Sequence, residues 1–201
     1  MNILNDLTVH QFVTRLLMML VVTAFYGAWI SVLAKWLDDK RPQREGHLSL
    51  NPAANISYGG LAMAVLFSHG WIRPIRLSVA GKASQMLRIV LIILIGSVVA
   101  LTTIPLLDIV RPYIHQALSR TSGYYVLYSV QVIQEQMLGL VLLSLIPLPG
   151  FLAGNLWRII LPKNDTKLIR FEPFCLSLMI IILILGWFPD TSNLIKMLRL
   201  I

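Results

Sequence analysis

The feature that most constrains this chain is an uncharged run of nineteen residues, LLMMLVVTAFYGAWISVLA, from Leu16 to Ala34. As an α-helix it is roughly 28 Å long, close to the hydrocarbon thickness of a bilayer. A soluble domain must cover such a cylinder on every side. The composition argues against that cover, because 57% of the 201 residues are hydrophobic and only 13% are charged. The chain therefore reads as an all-α integral membrane protein, a single transmembrane domain over residues 1–201. Its formal net charge is +8. The basic residues flank apolar runs, where they meet lipid phosphates, so membrane lipids are expected partners and nucleic acid is not. The one cysteine, Cys175, excludes an internal disulfide and a multi-cysteine metal site. The opening residues MNILNDLTVHQF lack a basic n-region, so the run that follows is read as a retained helix and not a signal peptide.

Hydropathy divides the chain into about five apolar segments, at 12–36, 53–70, 89–107, 126–161 and 173–188. The first and third are plain spans, and Pro105 is expected to close or kink the third. The second is short and carries Asn55, Ser57, Tyr58 and the pair Gly59–Gly60, so it suits a helix packed against protein. The fourth exceeds a single span and is broken at 147–154 by Pro147, Pro149, Gly150 and Gly154. Broken backbone at membrane depth requires cover from protein or a water-filled cavity. HLSLN at residues 47–51 alternates and predicts a short strand-like loop. Residues 108–123 read as an interfacial connection, and 189–201 as an interfacial amphipathic tail. The acid-free basic stretch 70–88 favours a cytoplasmic position for that connection.

Two phrases flank the second segment: GHLSLNPAANISYGG at 46–60 and GWIRPI at 70–75. Together they resemble the segment that follows the active-site helix in short bacterial site-2 proteases, which are intramembrane zinc metalloproteases of peptidase family M50. Gly46, Leu48, Leu50, Asn51, Pro52, Ile56, Gly60, Gly70, Trp71 and Pro74 fall in register with the family's phrases, and Arg73 takes the place of a lysine. The broken fourth segment, SLIPLPGFLAGN at 144–155, resembles the family's late Pro-rich phrase through Pro147, Pro149 and Gly154. The resemblance covers roughly residues 20–160. It implies a site-2-protease-like helical core and location in the bacterial inner (cytoplasmic) membrane.

A zinc protease needs three protein ligands, an open position for water, and a carboxylate to take that water's proton. The family supplies two His and the Glu from H-E-x-x-H, and an Asp from L-D-G. Here TAFYGAW at 23–29 stands at the first motif. The resemblance places Thr23 and Gly27 where the His ligands would be, Ala24 where the Glu would be, and Leu152 where the Asp would be. Asn55 and Ser57 replace a His and an Asp of the phrase after the helix. No H-E-x-x-H occurs anywhere in the chain, and His10, His47, His69 and His115 form no pair at helical spacing. The expectation is a pseudoprotease with no catalytic residues, no metal ligands and no cofactor. It would act as a scaffold or accessory subunit that binds a partner transmembrane helix or lipid within a larger complex of integral membrane proteins. An intramembrane zinc protease with an unusual ligand set and a small transporter are the competing readings. Glu135, in QVIQEQ, is the one remaining candidate functional acid.

Overall fold

The computed structural model describes residues 8–78, 83–189 and 191–198. Residues 1–7, part of the basic stretch at 79–82, and residues 190 and 199–201 of the tail lie outside the described residues. The described chain is all helix and turn: α1 (Val9–Trp36), α2 (Arg41–Arg44), α3 (Pro52–Asn55), α4 (Tyr58–Phe67), α5 (Ala83–Ala117), α6 (Arg120–Leu145), α7 (Asn155–Ile160), a 3-10 turn (Pro162–Asn164), α8 (Asp165–Ile184) and α9 (Thr191–Leu198). Three of these, α1, α5 and α6, are long and apolar enough to cross a membrane.

α1 begins with a capping box. The Thr8 hydroxyl accepts from Gln11 N, and the Gln11 side chain accepts from Thr8 N. α5 and α6 form a long antiparallel hairpin closed at Leu118–Ser119, where the Ser119 hydroxyl caps α6. α1 packs on both, around a core that includes Met19, Val22, Tyr26, Ile30, Ile92, Ala100, Leu140 and Leu152. A second cluster joins α4 and α8 through Met63, Trp71, Leu143, Phe151 and Met179.

Charged and amide groups gather at two levels. At one, the Gln136 amide donates to Arg15 O at 2.8 Å, and Gln134, Asp108 and Arg111 bond to one another between α5 and α6. At the other, Asp39 accepts from Ser78, Arg158 pairs with Asp165, and Arg76 pairs with Glu172. Between these levels run the uncharged stretches 16–34, 89–107 and 136–157. The first two are nineteen residues each, or roughly 28 Å of helix, so the polar levels lie a bilayer thickness apart.

Several expectations are corrected. Residues 47–51 are turns, and no strand occurs among the described residues. The alternating HLSL has no neighbouring strand to pair with. Asn51 instead accepts from Ala53 N and starts α3 at Pro52. The only β-like pairing described is a single antiparallel bridge between Ile56 and Ile72. The second segment is two helices, broken at Ile56–Ser57. The third does not end at 107: α5 continues through Pro105 and Pro112 to Ala117, so 108–123 is mostly helix hairpin. Neighbouring helices let a membrane helix tolerate such prolines. The fourth segment starts earlier, at Arg120, and its break falls at residues 146–154 as expected. α8 starts at Asp165 and carries Pro173 inside it. The tail helix α9 packs on protein and not on lipid alone, with Ile195 buried against Ile104 and Leu138.

Candidate functional site

α4 has only ten residues, roughly 15 Å, half a membrane crossing. It runs antiparallel to α1, since Arg15 donates to Val65 O and Leu66 O while Asn55 lies against Gly27. Residues 71–78 double back along α4 and complete the crossing as an extended strap. Its peptide groups have no sheet, and side chains take the place of one. The Asn155 amide accepts from Leu77 N at 3.0 Å and donates to Ile75 O at 2.9 Å, as a neighbouring strand would. Arg158 donates to Leu77 O at 3.3 Å. The Asn55 carbonyl accepts from Arg73 N at 2.8 Å, and the Asp39 carboxylate accepts from Ser78 N at 2.7 Å. Irregular backbone at this depth persists because protein satisfies it.

The phrase residues build this arrangement. A Cβ on Gly60 would sit 2.0 Å from Trp71 O, and one on Gly70 would sit 2.3 Å from Gly60 O. The two glycines thus let α4 and the start of the strap touch backbone to backbone. Trp71 is buried beneath that contact, edge-on to Phe151, and its indole N–H has no partner among the described residues. Pro74 keeps the strap extended. Gly46 turns the loop before His47, Leu48 is half-buried, and Leu50 is exposed. Pro147, Pro149 and Gly154 shape the break between α6 and α7, which delivers Asn155 to the strap.

The four positions that the resemblance aligns with the family's zinc site are all buried, three of them on one wall of α1. Thr23, Ala24 and Gly27 share the buried side of α1, and Leu152 joins the core cluster that holds Tyr26. The Thr23 hydroxyl donates to Leu20 O at 2.9 Å, within its own helix. A Cβ on Gly27 would lie 2.3 Å from Asn55 Cγ. The Asn55 amide fills that notch and is itself fixed: its nitrogen donates to Ser49 O at 3.1 Å, and its oxygen accepts from His47 Nδ1 at 2.8 Å. These residues do not fit the zinc ion that the family resemblance implies. Gly27, Ala24 and Leu152 offer no ligand atom, and the space over Gly27 is occupied by Asn55. Among the described residues no three His, Cys, Asp or Glu side chains converge on one point.

His47 is fully buried in the loop between α2 and α3. Its Nδ1 carries the proton given to Asn55, which leaves Nε2 bare, 3.9 Å from a Glu45 oxygen. Burial holds its pKa below the usual 6.5, against the opposing pull of the Asn55 hydrogen bond.

Beside this wall a small cleft of about 20 Å³ opens between the strap and the α6–α7 break, lined by Tyr26, Trp71, Arg73, Leu140, Ser144 and Leu152 among others. The Tyr26 hydroxyl donates to Ser144 Oγ at 2.9 Å across it. Arg73 is exposed at its edge and has no carboxylate partner among the described residues.

Glu135 lies apart from the cleft. It is half-buried on α6 and accepts from Gln131 one turn earlier at 2.9 Å. The buried polar contacts of that region belong instead to Gln134, which bonds Asp108 Oδ1 and Ile104 O at 2.9 Å each. Sequence reasoning did not single out Asn155, Asp39 or Asp108. The signal for Asn155 was its place directly after the Pro/Gly break, at the start of a new helix. For Asp108 the signal was Arg111 three residues on, its ion-pair partner at 3.0 Å, whereas the Gln134 amide that also bonds it is 26 residues away.

The chain matches no family model, no curated protein and no solved structure.

Proposed function

We propose that this chain is a catalytically inactive, site-2-protease-like protein of the bacterial inner membrane. It acts as a scaffold or accessory subunit that holds a partner transmembrane helix or lipid within a larger membrane complex. One observation carries the reading: the Asn55 amide sits over Gly27, its N–H groups donating to His47 O and Ser49 O and its oxygen accepting from His47 Nδ1. The wall is thereby built as packed structure, with no reactive group presented to the cleft. The strap, the Pro/Gly break and the glycine contacts are kept around it, which favours a role in which shape matters and the chemistry does not.

The test is purification at natural expression level with a C-terminal tag, in mild detergent, followed by mass spectrometry of stoichiometric partners. A defined complex containing another integral membrane protein is the expected result, and a partner-free chain overturns the proposal. Zinc content separates it from the protease reading. One tightly held zinc per purified chain, resistant to chelator, would show that the pseudoprotease assignment is wrong.

A further inference from the structure

The two ends of the second apolar segment lie on one side of the apolar layer. Asp39, before it, accepts from both the N–H and the hydroxyl of Ser78, after it, at 2.7 Å each. α4 carries the chain inward until Arg15 donates to Val65 O and Leu66 O, and the strap brings it back to Asp39. Residues 40–77 therefore dip into the layer and return, and do not cross it. That changes the side assigned to everything before them. With five full crossings, residues 8–15 would share a side with residues 76–88. In the structure Arg15 lies at the polar level opposite Ser78, with the uncharged stretch 16–34 between. The loop after α1 instead joins the level that holds Arg76, Arg158, Asp165 and Glu172.

The cations divide unevenly once the sides are sorted in this way. Among the described residues, the Asp39 level carries four Lys and Arg in 35–44, two in 76–88 and four in 158–170, ten in all. The Arg15 level carries four: Arg15, Arg111, Arg120 and Lys196. Arg73, on the strap, is counted on neither side. In short connections beside spans Lys and Arg set the orientation, and Asp and Glu contribute little. The acids of the basic face are also engaged internally: Asp39 by Ser78, Glu45 by Arg41, Asp165 by Arg158 and Glu172 by Arg76. Lys40, Arg44, Lys163, Lys167 and Arg170 are exposed and form no ion pair among the described residues.

We infer that the Asp39 level faces the cytoplasm, where its exposed cations meet the anionic headgroups of that leaflet, and that residues 8–15, the α5–α6 turn and α9 lie on the opposite side. The negative surface potential of the cytoplasmic leaflet attracts such a face, and transfer of its cations across the layer is disfavoured. A soluble partner of the basic face is then cytoplasmic, and a soluble partner of the α5–α6 turn is not.

The test is single-cysteine labelling of the full-length protein in spheroplasts of a bacterial host. Cys175, buried in α8, is first replaced by Ser. Single cysteines are then placed at exposed sites: Gln43→Cys and Thr166→Cys on the basic face, Gln116→Cys and Thr121→Cys beside the α5–α6 turn. A membrane-impermeant maleimide is applied before and after lysis. Gln116→Cys and Thr121→Cys should label fully in intact spheroplasts. Gln43→Cys and Thr166→Cys should label only after lysis. The reverse pattern overturns the orientation. Labelling of Gln43→Cys together with the turn, but not Thr166→Cys, overturns the dip, because five full crossings produce that pattern. The inference needs the bilayer placement and not the accessory role. A partner-free chain with the expected labelling sinks the accessory reading alone, and a native complex with the reverse labelling sinks this inference alone.

Discussion

The α5–α6 hairpin and the α4–strap–α7 region cross the same apolar layer by opposite means. The hairpin is regular helix, so each peptide group is satisfied within its own segment and side chains need only fill space. The strap is extended and cannot satisfy itself. It borrows Asn155 and Arg158 from α7, Asn55 from α3 and Asp39 from the turn after α1, three other parts of the chain. The same membrane constraint therefore makes one region tolerant of sequence change and the other dependent on single side chains. The buried wall of α1 around Gly27 belongs to the second kind. The polar groups packed on it hold the fold.

The sharpest break of this contrast is Asn155→Leu. It leaves Leu77 N and Ile75 O without partners and takes an acceptor from Arg158. Each unsatisfied buried group costs about 1–3 kcal/mol, so a total loss of about 4 kcal/mol is expected. Denaturation in a mixed-micelle SDS titration measures it. A loss under about 1 kcal/mol would mean that the strap does not depend on this side chain. Next is Gly60→Ala. Its methyl would meet the Trp71 carbonyl, a backbone atom that cannot swing aside, so α4 and the strap must part. About 3 kcal/mol is expected, and the same titration reads it. Wild-type stability in that variant would place the close contact elsewhere.

How far the sequence revealed this contrast follows from the same physics. The spans of α1 and α5 are visible because hydropathy is local, and the break at 146–154 is visible because proline and glycine act locally. The length of α5 is not, because Pro105 and Pro112 read as stops by propensity while packed neighbours allow the helix to continue. The strand-like reading of 47–51 fails for the opposite reason: alternation alone does not supply a partner strand. At the site, the burial of Thr23, Ala24, Gly27 and Leu152 is legible from their places in apolar runs. What packs on Gly27 is not. That Asn55 reaches Gly27, and that His47 secures it, depends on a loop folding back along α1, and no periodicity encodes that path.

His47 gives a smaller test confined to the irregular side. Its pKa in the folded protein lies below 6.5 because burial disfavours the imidazolium. The unfolded chain therefore takes up the proton first as pH falls. The stability from neutral His47 is complete above about pH 6.5 and is lost as pH drops through the lower, folded value. Melting curves from pH 8 to pH 5 should show this decline, and His47→Gln should flatten it. An equal decline in that variant would assign the effect to other groups.

The smallest effect is expected at the acid that first drew attention. Glu135 and Gln134 are neighbours in sequence but about 100° apart around α6, and that rotation decides their roles. Gln134 points into the hairpin and joins Asp108, Ile104 and Arg111. Glu135 is half-buried and bonds only its own helix through Gln131 among the contacts described. Weak hydropathy on both sides of QVIQEQ left the buried face undecided in the sequence. Glu135→Gln should therefore change stability by less than about 0.5 kcal/mol, as for a change away from buried networks. It should also leave any native complex intact. Gln134→Leu, one position away, should cost several times more, because it removes the amide that donates to buried Asp108 and Ile104 O and accepts from Arg111. If the two substitutions reversed order, the regular side of the molecule would also hang on a single polar contact, and the contrast between the two regions would fail.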